Sequence, residues 1–68
     1  MLQSIYPNLD KLMADHDIDY TQLAKELGLG NLAMYRRLKG TVNWSLPEVL
    51  AVCRYFNNPN ATEIFTIR

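Results

Sequence analysis

The sequence of 68 residues holds one cysteine and one histidine. That rules out an internal disulfide framework and leaves too few ligands for a structural zinc site. With only three glycines and three prolines, it has no collagen-like or low-complexity character. No apolar run approaches the roughly 20 residues of a membrane span. The opening Met1-Leu2-Gln3-Ser4 lacks the basic and then apolar order of a secretory signal, so a soluble, cytoplasmic location is expected. Catalytic constellations are missing too. One histidine, one cysteine and scattered carboxylates supply no recognisable nucleophile and base, and Gly28-Leu29-Gly30 is too short for a specific phosphate loop. The reading is therefore of a non-enzyme with no cofactor and no metal.

What is present is ordinary globular composition, 49% hydrophobic and 21% charged. This length predicts a single domain over residues 1–68, of modest stability, because so short a chain buries only about 60% of its unfolded surface. Seven basic residues balance seven acidic ones, but they are not spread evenly. Residues 1–26 carry Asp10, Asp15, Asp17, Asp19 and Glu26 against Lys11 and Lys25. Residues 27–47 hold Arg36, Arg37 and Lys39 and no acid, and residues 48–68 balance. A basic island in a neutral chain suits an anionic partner better than the total suggests, although three cations also fit an ordinary solvated face.

The pattern predicts an all-α bundle of four to five short helices. Pro7 suits a first helical turn, and Leu9, Leu12, Met13 and His16 then fall on one face, giving a helix over about 7–16. His16 reads as a boundary or hydrogen-bonded histidine. Asp19 with Gln22 forms a capping-box variant that opens a second helix at about 20–27, with Tyr20, Leu23, Ala24 and Leu27 on one face. Gly28 fits its C-cap, and the central Leu29 of the short turn is expected in the core. From Gly30 a third helix runs over about 31–39, closed by Gly40. Met34 and Leu38 are its inward pair, and the opposite direction falls on Arg36, flanked by Leu32, Ala33 and Lys39. Ser45 with Glu48 caps a fourth helix reaching Phe56, with Leu46, Val49, Leu50, Cys53 and Phe56 expected inward and Cys53 a small core hydrophobe. Asn60 with Glu63 caps a last short helix near 61–65. Trp44 is expected to cover the junction of the third and fourth helices, with stacking on a sugar-phosphate backbone as the alternative.

A small residue in mid-helix, a glycine four residues later, and a second helix with separate inward and outward stripes form the arrangement of a helix-turn-helix. The outward stripe would enter a major groove about 12 Å wide. Leu23-Ala24-x-x-Leu27-Gly28-Leu29-Gly30, Met34, Leu38-Lys39-Gly40, and then Pro47, Leu50, Phe56 and Glu63-Ile64-Phe65 resemble the Cro/C1-type (XRE-like) helix-turn-helix domain of phage repressors and small bacterial regulators. The resemblance covers about residues 8–65.

That resemblance implies sequence-specific binding of double-stranded DNA by a transcriptional regulator. Base contacts would come from Asn31, Leu32, Tyr35 and Arg36, and backbone contacts from Tyr20, Thr21, Arg37, Lys39, Thr41 and Asn43. The chain departs from the family pattern in two places. An aliphatic residue is common at the position of Arg37 and a polar one at Leu38, which leaves open whether Tyr35 or Arg37 faces DNA. Tyr20 stands where glutamine is frequent. The resemblance further implies a pseudo-palindromic operator bound by two copies. Ile64, Phe65 and Ile67 are the candidate homodimer contact, with burial inside a monomer as the alternative. The rival reading is a protein-interaction module or accessory regulator on the same fold that does not itself bind DNA.

Overall fold

The computed structural model describes residues 3–67. The signal-peptide reading of Met1 and Leu2 and the charge of Arg68 lie outside the described residues. Five helices, and no strand among the described residues, make up the fold: α1 Pro7–Asp15, α2 Tyr20–Leu27, α3 Asn31–Lys39, α4 Leu46–Tyr55 and α5 Ala61–Ile64. The all-α expectation therefore holds. No helix among the described residues is long and apolar enough to cross a membrane.

Local chemistry fixes where the helices start. Pro7 occupies the first turn of α1, where a missing N–H matters least. Asp19 Oδ1 accepts from the Gln22 N–H at 3.0 Å while the Asp19 N–H donates to Gln22 Oε1 at 3.0 Å. Ser45 and Glu48 make the same reciprocal pair at α4, and Asn60 Oδ1 accepts from the Glu63 N–H at 3.2 Å at α5. Each cap satisfies donors that the first helical turn leaves orphaned.

The ends are equally explicit. Gly28 and Gly40 take left-handed backbone, φ 73° and 83°, and let the following N–H groups fold back: Leu29 to the Ala24 carbonyl at 2.8 Å and Thr41 to the Arg36 carbonyl at 3.0 Å. Asp17 and Asn57, φ 55° and 52°, end α1 and α4 in the same way. Asp and Asn tolerate this conformation better than most side chains.

Packing follows from the faces these helices present. Leu9, Leu23, Ala24, Met34, Leu38 and Val52 are fully buried and Ile64 nearly so, with Tyr6, Met13, Cys53 and Phe56 around them. α2 packs on α3 and α4, and α5 packs on α1 and α4. Leu29 is half-buried against this core, as its place in the turn predicts. His16 caps α1, its Nδ1 2.9 Å from the Leu12 carbonyl and its ring edge-on to Phe56.

One expectation needs correction. On α4, Leu46 and Leu50 are 69% and 49% exposed, and the buried stripe is Val49, Val52, Cys53 and Phe56. The helix is turned by about half a residue step from the predicted face. That turn brings Glu48, on the flank beside Val52, against Arg37 of α3. Trp44 lies in the loop between α3 and α4, partly buried against the core. Its ring lies edge-on to Tyr6 and Phe65, at 6.4 and 5.1 Å, where the chain before α1 and the chain after α5 meet. Ile64 is 1% exposed, Phe65 is partly buried with its ring edge-on to Tyr6 and Trp44, and Ile67 is exposed.

Candidate nucleic-acid interface

The close crossing of α2 and α3 is made possible by Ala24, whose small side chain is wholly buried. The three-residue turn between them leaves α3 with two distinct faces. Met34 and Leu38 are completely buried, whereas Asn31, Leu32, Tyr35, Arg36 and Lys39 are exposed, Leu32 by 59% and Tyr35 by 41%. The inward and outward assignments made from periodicity therefore agree with the fold.

Arg37 behaves differently from its neighbours. Its Nε donates to Glu48 Oε1 at 2.9 Å, and its Nη1 donates to the Ala33 carbonyl at 3.0 Å. The guanidinium is committed to joining α3 to the start of α4, and Tyr35 is the more exposed of the two. The hydrogen bond from Arg37 holds the Glu48 carboxyl below the usual glutamate value, against the burial that would raise it, and the Ser45 N–H adds to the lowering. The basic island thus loses one cation to an acid placed just beyond its sequence boundary, leaving Arg36 and Lys39 to set the charge of the outward face.

Around that face the other predicted residues are brought close in part. The rings of Tyr20 and Tyr35 stand 6.4 Å apart, and Lys39 Nζ lies 5.8 Å from the centre of the Tyr35 ring. Tyr20, Tyr35 and Lys39 therefore form one continuous edge across α2 and α3. Thr21 Oγ1 donates to Asp19 Oδ1 at 2.6 Å, which lowers the Asp19 carboxyl, helped by the Gln22 N–H. Thr41 Oγ1 donates to the Arg36 carbonyl at 3.0 Å, so it finishes α3 as well as facing solvent. Asn43 is exposed in the loop that follows.

A shallow groove at the start of α3 is lined by Thr21, Gln22, Lys25, Leu29 and Asn31. Gln22 is occupied by its cap, so Lys25 is the cation this groove adds to the face. The signal for it was the four-residue spacing from Thr21, which puts both on one side of α2.

No curated relative matches the chain. The description Cro/C1-type HTH DNA-binding domain matches residues 8–61, a stretch that includes both crossing helices, the turn and the whole outward face. With that match over most of its length, and with the helix pair built as such a domain requires, the chain belongs to the Cro/C1-type helix-turn-helix DNA-binding family.

Proposed function

We propose that this protein binds a specific double-stranded DNA sequence by laying α3 in the major groove, and acts as a transcriptional regulator of the repressor or Cro kind. The observation that carries this reading is the division of α3. Met34 and Leu38 are fully buried and Arg37 is turned to Glu48, so Asn31, Leu32, Tyr35 and Arg36 are left to the outside without weakening the core. Arg36 offers guanine a bidentate fork, Asn31 suits adenine, and Leu32 suits a thymine methyl. Tyr20, Thr21, Lys39, Thr41 and Asn43 contact phosphate and set the register without reading sequence. Arg37 serves this surface from behind, fixing α3 against α4.

A helix of nine residues is only about 13 Å long and reads few base pairs. Two copies on a pseudo-palindromic operator, about 34 Å apart, supply the missing information. In the tail, Ile67 and the partly exposed Phe65 are the residues left for contact between them.

The test is selection of ligands from random-sequence duplexes, followed by titration of the winner at two salt concentrations. The expected result is a preferred half-site motif and an affinity that falls as salt rises, because phosphate neutralisation releases counterions. The second reading, a protein-interaction module, is favoured by the large exposure of Leu32 and the zero net charge. It would be supported by the absence of both effects, since fold alone does not fix function.

A further inference from the structure

The segment before α1 lies outside the stretch that matches the family, yet it touches the end of the recognition helix at three points. The Ile5 N–H donates to the Leu38 carbonyl at 3.0 Å, satisfying one of the last carbonyls of α3. The Ile5 side chain lies over Gly40, close enough that a Cβ there would come within 2.7 Å of its Cδ1. The Gln3 carbonyl accepts from Lys39 Nζ at 3.3 Å, while the Tyr35 ring sits 5.8 Å away on the same ammonium.

The segment is itself pinned. Asp10, in the first turn of α1, accepts the Ser4 N–H at 3.1 Å and the Ser4 hydroxyl at 2.7 Å, and that hydroxyl oxygen accepts the Tyr6 N–H at 3.0 Å. Ser4 is only 3% exposed, so these bonds are shielded from competing water. A carboxylate on α1 thereby fixes residues 3–6 as a strap across the C-terminal turn of α3.

We infer that this strap positions Lys39 for its contact with a DNA phosphate, and that Ser4 and Asp10 are positioning residues for DNA binding although neither faces DNA. The inference rests on the DNA-binding reading above. An ammonium has three N–H donors. One goes to Gln3, the ring face steadies the group, and the remaining donors point to a partner without first losing the freedom of a long side chain. Because Gln3 acts through its backbone carbonyl, its own side chain is dispensable.

Charge gives the test its direction. Asp10→Asn removes a negative charge and by long-range electrostatics alone would strengthen DNA binding. If the strap positions Lys39, the same substitution weakens binding. A random-sequence 30-base-pair duplex at low salt is a sufficient probe, since a phosphate contact needs no specific site. Asp10→Asn and Ser4→Ala are each expected to reduce affinity about three- to tenfold. On a Lys39→Met background the same changes are expected to cost about twofold or less, because the positioned group is gone. Gln3→Ala should match wild type, and Asp15→Asn, the same charge change on the exposed end of α1, should bind equally or more tightly.

Circular dichroism confirms the fold of each variant, and amide exchange of the unbound full chain supplies a readout without DNA. Loss of Ile5 amide protection in Asp10→Asn supports the strap, and retained protection overturns it. Additive losses on the Lys39→Met background, or tighter binding by Asp10→Asn, also overturn the inference while leaving DNA binding intact. Failure of the wild-type chain to bind any duplex overturns both readings.

Discussion

Neighbouring residues of α3 belong to opposite worlds, and substitutions there separate stability from recognition. Leu38→Ala empties a fully buried site and should destabilise by about 2–5 kcal/mol. Leu32→Ala, on a side chain 59% exposed, should leave the melting temperature nearly unchanged and affect only what the surface binds. Thermal melts in the reverse order would mean that the faces are exchanged. Arg36 is the residue whose role is most sharply testable. Arg36→Ala should cost about 1–3 kcal/mol of specific affinity and relax base preference at one position per half-site, as loss of a bidentate guanine contact does. A binding series on operators mutated one base pair at a time checks this. Uniform weakening would make Arg36 a phosphate clamp and leave base reading to Asn31, Leu32 and Tyr35.

At the scale of elements, the joint between α3 and α4 has a pH signature. The folded Glu48 carboxyl is held below its ordinary value of 4.5, chiefly by the Arg37 hydrogen bond. A carboxyl lowered on folding stabilises above its unfolded value, and that contribution disappears as pH falls through the folded value. Glu48→Gln keeps a side chain suited to the capping box and removes the charge. The wild type should therefore melt above this variant near neutrality, and the gap should close as pH falls below 4.5. A gap independent of pH would show that the ion pair contributes nothing measurable.

The same joint explains what could be read from sequence and what could not. The caps at Asp19 and Ser45, the left-handed glycines at 28 and 40, and the Met34–Leu38 stripe are local signals, written within four residues of where they act. The rotation of α4 is not local. Leu46 and Leu50 look as apolar as Val52, and which of them is buried depends on what the rest of the fold sets against α4, where Glu48 meets Arg37 on one flank. Arg37 was ambiguous for the same reason, since its partner lies eleven residues away. The aromatic group of Tyr6, Trp44 and Phe65 joins three distant parts of the chain. No periodicity reports such a meeting, and so the tail was left between a dimer contact and burial inside the monomer.

Across the whole molecule, charge and size together constrain how DNA is engaged. A net charge of zero means that binding cannot come from general attraction and must rest on a few placed cations. With Arg37 consumed internally, each copy brings mainly Lys39, Arg36 and Lys25, so the salt dependence should be shallow for one copy and roughly double for two. The Cα envelope is 25 × 25 × 21 Å, small enough for two copies to sit side by side at half-sites about 34 Å apart without overlapping. Since Ile64 and Phe65 serve the chain's own core, pairing away from DNA should be weak. Sedimentation should then report a monomer or weak dimer in solution, and two copies per operator at saturation. Lys39→Ala should lower affinity for all sequences about equally and reduce the salt slope by roughly one ion per copy, or two for the filled operator. A saturated complex holding one copy would overturn the paired arrangement. A loss of only one ion would then be the consistent slope, so the two measurements check each other.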